Sequence, residues 1–108
     1  MSPSAMTLTR IHTTLPDAAS ARALAEALLH ARLIACAHIA PPGTSLYTWN
    51  GAQEASAEVM LWLKTTPARA AEAVAEIERL HPYDCPMILT DRVAANPAYL
   101  AWAEAQTR

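Results

Sequence analysis

Five consecutive apolar residues, Val59-Met60-Leu61-Trp62-Leu63, stand inside the stretch from Glu58 to Thr65. The run follows the dipeptide Asn50-Gly51, whose residues tolerate the positive φ that a tight hairpin turn demands, so it reads as a strand returning from a hairpin. Strand side chains alternate between two faces, and five apolar residues in a row leave neither face for water. Whatever sheet holds this strand must be covered on both sides.

The rest of the chain supplies two covering helices and the remaining strands. Thr7–Thr14 is rich in β-branched residues and predicts a first strand. Asp17 is a good N-cap, and Ala21, Leu24, Ala25, Leu28 and Leu29 then recur at helical spacing. Leu33 to Ala40 reads as a short apolar strand stopped by Pro41-Pro42-Gly43, and Ser45 to Trp49 resumes the β pattern before the turn. Thr66-Pro67 opens a second helix with Ala70, Ala73, Val74, Ile77 and Leu80 on its apolar stripe, ended by His81-Pro82. A last strand, Met87 to Val93, precedes a terminal helix opened by Asn96-Pro97.

The order β-α-β-β-α-β-α in 108 residues predicts a single α+β domain over 1–108. The arrangement expected is a ferredoxin-like βαββαβ sandwich, with sheet order 4-1-3-2, both main helices on one face and a C-terminal helix added. Residues 1–6 are expected to be a flexible N-terminus. Two helices on one face leave the other side of the apolar strand bare. Alanine crowds the helical stretches and the chain has no phenylalanine, so part of the core is expected to come from other subunits of a homo-oligomer. Trp49, Trp62 and Trp102 with Tyr47, Tyr83 and Tyr99 read as core and interface volume.

Charge and motif content exclude several functions. The net charge is −2, with one lysine and seven scattered arginines, so there is no basic stripe for nucleic acid. No apolar run is long enough for a membrane span, the first six residues do not form a signal peptide, and Cys36 and Cys85 are too few for a disulfide framework. A cytoplasmic location is the resulting expectation. No catalytic constellation is present, and only Gly43 and Gly51 are available for any phosphate-cradling loop, which argues against an enzyme.

Ordered segments along nearly the whole chain resemble the CutA divalent-cation tolerance family. They are Pro16-Asp17, Ala35-Cys36-Ala37-His38-Ile39, Ser45-Leu46-Tyr47-Thr48-Trp49-Asn50-Gly51, Glu58 with Leu63-Lys64-Thr65, Leu80-His81-Pro82-Tyr83-Asp84-Cys85-Pro86, and Asn96-Pro97-Ala98-Tyr99-Leu100-Ala101-Trp102. The resemblance implies a trimer similar in architecture to the PII signalling proteins and a role in tolerance of copper and other divalent cations. Some members carry a cysteine at the position of Thr13 and a histidine at the position of Leu80, both implicated in binding copper. This chain keeps only His81 of that set, and Ala52 stands where the family usually has lysine.

The residue chemistry offers two kinds of site. Cys36 and His38, at i and i+2 on a strand, point to one face and suit a soft metal ion, or else form a buried cysteine beside an interface histidine. His81, Asp84 and Cys85 make a second soft-donor cluster, or else His81 merely ends the helix beside its last carbonyls. His81 is expected near the sheet edge opposite Cys36, so a shared copper or other divalent site would lie between subunits. No cofactor is obligatory. Lys64, the only lysine, would hold a small anion with Tyr83 in an intersubunit cleft of the kind PII-like trimers use, or else pair with Glu58 or Asp84. A metal-tolerance trimer, a PII-like trimer binding an organic anion or nucleotide, and a scaffold without ligand are the three functional expectations.

Overall fold

The turn residues Asn50 (φ 51°) and Gly51 (φ 78°) both occupy the left-handed region, as a two-residue hairpin with the twist of its strands requires. In the computed structural model, which describes residues 6–108, this turn joins β3 (Gly43–Trp49) to β4 (Ala52–Thr65) in antiparallel register from Trp49 opposite Ala52 to Gly43 opposite Glu58. The second half of β4 lies between β1 (Thr7–Leu15) and β2 (Cys36–Ile39), and β5 (Ile88–Ala94) flanks β1. The order β2-β4-β1-β5 is the predicted 4-1-3-2 arrangement, with β3 as an extra partner along the first half of β4. At about 3.3 Å per residue the 14 residues of β4 span roughly 46 Å. That strand sets the long dimension of a molecule measuring 50 × 26 × 23 Å.

The five apolar residues of β4 divide between two environments. Val59, Leu61 and Leu63 turn towards α1 (Ala18–His30) and α2 (Pro67–Leu80) and are fully buried with Ile11, Leu15, Leu28, Ile34 and Ile77. Met60, Trp62 and Lys64 alternate with them and are only half-buried. On this second face the Trp62 ring lies 4.2 Å from His12, and the Arg10 guanidinium stands 5.7 Å from the Trp62 ring while pairing with Asp91 at 2.7 Å. The third helix, α3 (Pro97–Gln106), covers one end of that face by packing Leu100 and Ala103 on Leu8 and Ala35. The remainder is open.

Two element boundaries differ from expectation for an identifiable reason. The strand predicted over Leu33–Ala40 is confined to Cys36–Ile39, because α1 ends in a two-bond C-terminal cap that takes Leu33, while the Ala35 and Ala40 N–H groups still donate to the Lys64 and Met60 carbonyls of β4. Arg32 takes φ 59°, its N–H donates to Leu29 O, and the Leu33 N–H donates to Leu28 O at 3.0 Å. A non-glycine residue there costs about 1 kcal/mol or more. The Arg32 side chain offsets this by donating to the Ala105 and Arg108 carbonyls at the end of α3. The last strand begins one residue later than predicted, at Ile88, and runs to Ala94. Of the segment expected to be flexible, residues 1–5 lie outside the described residues, while the Met6 carbonyl accepts from the Ala95 N–H at 3.1 Å.

Candidate functional site

His81 follows the last turn of α2, where Pro82 prevents further helix. Its ring reaches the end of β1. The residue is 8% exposed, and the Tyr83 N–H, which can only donate, lies 3.2 Å from Nδ1. Nδ1 therefore accepts and the proton sits on Nε2, which donates to the Thr14 carbonyl at 2.9 Å with Thr13 Oγ1 at 3.0 Å. Both ring nitrogens are occupied. Burial holds the imidazole below its usual pKa, against the opposing influence of the Thr14 carbonyl and the Glu58 charge.

Glu58 completes the cluster from β4, one residue before the apolar run begins. Partial burial pushes its carboxyl up, but hydrogen bonds from Ser45, Tyr83 and Thr14, joined in acid by the protonated His81 ring, outweigh that and hold it below the ordinary value. The Tyr83 hydroxyl donates to Glu58 at 2.7 Å. Burial first, then that hydrogen bond and the carboxylate charge, raises the phenol well above its ordinary value. At neutral pH the site is thus an ionised carboxylate held by hydroxyls beside a neutral histidine and a protonated tyrosine. It holds a charge in place and has no activated nucleophile.

This protonation pattern predicts acid sensitivity. Unfolded His81 takes up a proton near 6.5 whereas the folded imidazole resists it, so stability is fully present above 6.5 and falls as pH drops towards the depressed folded value. Glu58 adds a second loss below about 4.5, its ordinary value, by the same sign. Melting temperature measured from pH 7 to pH 5 should decline in the parent and be nearly level in His81→Gln. A variant with the parent's slope would assign the acid loss elsewhere.

The other predicted site residues lie apart from this cluster. Cys36 and His38 do share a face, opposite Lys64 and Trp62 on the open side of the sheet. The half-buried Cys36 thiol is 3.1 Å from the Tyr99 hydroxyl, and His38 is exposed. Thr13 faces the helices, so Cys36 and the Thr13–His81 pair are separated by the sheet. His81 sits at the end of central strand β1, not beside the opposite edge. Lys64 is six residues along β4 from Glu58, or about 20 Å, so within one subunit it meets neither Glu58 nor Tyr83. Cys85 is exposed in the connection between α2 and β5. Among the described residues no three of His, Cys, Asp and Glu come together as metal donors. In the sequence Glu58 stood out as one of the family-like residues and as an ion-pair partner for Lys64, with nothing to tie it to His81 or Tyr83. The usable signal was a lone carboxylate directly abutting a buried strand, where it requires donors.

Comparison with known proteins agrees with this architecture. Residues 9–106 match the family described as CutA1 divalent ion tolerance protein. The chain is 36% identical over 96 residues to the divalent-cation tolerance protein CutA of Pectobacterium atrosepticum, covering 88% of this chain and 87% of that one. The crystal structure of divalent ion tolerance protein CutA1 from Ehrlichia chaffeensis superposes with a TM-score of 0.91 at 33% identity, covering 94% and 95% of the two chains. A protein described as periplasmic divalent cation tolerance protein CutA, from Archaeoglobus fulgidus, superposes at 0.89 with 28% identity over 94% and 99%.

Proposed function

Because the chain belongs to the CutA1 divalent ion tolerance family, we propose that it acts in the response to divalent metal ions as a homotrimer whose open sheet faces pack around a three-fold axis. The observation that carries this reading is the incomplete cover of the sheet. Trp62 and His12 lie on a face that α3 closes only at one end, while Leu89 on β5 is 50% exposed and Leu46 on the projecting hairpin is 78% exposed. Apolar surface of this kind is stabilised by association. The role is one of binding, since the polar cluster has no reactive group and the family is described by tolerance, not by a reaction.

A metal ion does not fit the residues of one subunit. His81 uses both nitrogens, Thr13 offers a hydroxyl where a thiolate would be needed, and the Cys36 thiol is engaged by Tyr99 on the other face. In this reading a copper or zinc site is built between subunits from donors such as Cys36, His38, His81 and Cys85, a thiolate and imidazole set that favours copper(I) or zinc over hard cations. Displacing existing hydrogen bonds weakens it, so affinity should be micromolar or poorer, about 8 kcal/mol or less. The two cysteines are unpaired, which supports a reducing, cytoplasmic compartment.

Light scattering combined with copper(I), copper(II) and zinc titration tests the proposal. A trimeric mass is expected, with weak metal binding reduced separately by Cys36→Ser and His81→Asn. A monodisperse monomer, or nanomolar binding untouched by both variants, would overturn it. Lys64 favours a second reading, since this half-buried lysine makes no ion pair among the described residues. A PII-like trimer would use it to hold an organic anion or nucleotide with Tyr83 of an adjacent copy. Saturable nucleotide binding lost in Lys64→Ala, without metal binding, would select that alternative.

A further inference from the structure

A second polar cleft, remote from His81, lies where the start of α2 meets the end of α3 and the edge strand β5. It has a volume of about 500 Å³, and its charged lining consists of Arg69, Arg92, Arg108 and Glu104. Three guanidiniums against Glu104 and the Glu72 carboxylate that pairs with Arg69 leave one net positive side-chain charge in a chain whose overall charge is −2. Arg69 is fixed in place by donating to the Thr107 carbonyl at 2.8 Å and to Glu72 at 3.3 Å. Among the described residues, the Arg92 and Arg108 side chains make no hydrogen bond or ion pair.

Thr66 distinguishes the cleft from a merely basic surface. It is the N-cap of a 14-residue helix, yet its hydroxyl does not cap the helix, and it has no other side-chain partner among the described residues. The residue is 8% exposed. No fully buried side-chain oxygen among the described residues lacks a partner, so Thr66 Oγ1 must reach solvent, and the opening beside it is the cleft it lines. Pro67 has no N–H and the Arg69 N–H turns back to the Thr66 carbonyl, which leaves the Ala68 N–H at the positive end of the helix dipole. A nearly buried hydroxyl donor, a free helix N–H and an unpaired guanidinium belong to residues that line one cleft, the set of donors an oxyanion accepts from.

We propose that this cleft binds a phosphate group, either free or carried by a small organic molecule, with Thr66 and the Ala68 amide at its base and Arg92 closing over it. Glu104 opposes the charge and sets the affinity. The three carbonyls at the end of α3 are already held by Arg32 and Arg69, so they do not compete for Arg92.

Calorimetric titration of the intact protein with inorganic phosphate and with glycerol 3-phosphate, at low ionic strength, tests this site. Arg92→Gln and Thr66→Val should each weaken binding about tenfold, and Glu104→Gln should tighten it severalfold. Arg92 is exposed, and a gain in Glu104→Gln cannot arise from unfolding, so the outcome does not depend on one variant's stability. Tighter binding of glycerol 3-phosphate would identify a carried phosphate, and tighter binding of the inorganic ion a free one. Absence of saturable binding of either probe, or binding unchanged in Arg92→Gln and Thr66→Val, would overturn the assignment.

Discussion

Replacing Trp62 by alanine is expected to shift the proposed trimer towards monomer and to lower the stability of the assembled form by about 3–5 kcal/mol, the usual cost of deleting a large aromatic from a buried site. In the single subunit the ring is half-buried, resting on His12 at 4.2 Å with the Arg10 guanidinium above it at 5.7 Å. In the proposed trimer its remaining area is buried where the open faces meet, so the loss should fall on assembly. Light scattering across a dilution series would show a smaller mass at concentrations where the parent is intact, with far-ultraviolet dichroism largely kept. An unchanged mass and melting temperature would place Trp62 outside any interface.

The neighbouring substitution Leu63→Ala should act on the subunit itself. Leu63 is 0% exposed, sits opposite Ile11 on β1 and belongs to the cluster under α1 and α2. Its truncation removes transfer energy and leaves a cavity, at about 2–5 kcal/mol. For a domain of this size that corresponds to a melting temperature lower by on the order of ten degrees or more. Here the folded species should keep the parent's mass while its thermal midpoint falls. A drop in mass without a drop in midpoint would mean that the two faces of β4 have been exchanged. Adjacent residues of one apolar run thus make opposite predictions, because one strand presents them to different neighbours.

Much of the local structure was legible because its signals are short-range. Asn50-Gly51 prefers positive φ before any tertiary contact forms, and Asp17 caps α1 by accepting from the Ser20 N–H at 2.7 Å. Helical spacing in 18–30 and 67–80 selects the apolar stripe by geometry alone, and the uninterrupted run at 59–63 marked the strand whose Val59, Leu61 and Leu63 are buried in the core. The chain length and element order then admitted the 4-1-3-2 sheet. Short-range signals misled at Leu33, whose N–H closes α1 and does not open β2, because the Arg32 side chain finds carbonyl partners at the end of α3 more than 70 residues away in sequence.

The polar cluster was decided by tertiary structure. Nothing local joins His81 to Thr13, 68 positions earlier, or Tyr83 to Glu58. Those bonds exist because burial of each group makes an unpaired hydrogen-bonding atom costly, and the fold brings complementary partners within reach. The same rule keeps apart residues that composition alone would group. Cys36 and His81 lie across the sheet from one another, and Lys64 near the end of β4 is far from Tyr83, which bonds Glu58 at the middle of that strand, because strand alternation and rise fix position more strongly than chemical affinity does. The sequence by itself therefore determined which segments become strands and helices and which apolar stripes form the subunit's core. Only the packed structure decided which polar side chains meet, since that depends on distances between segments that no local preference encodes.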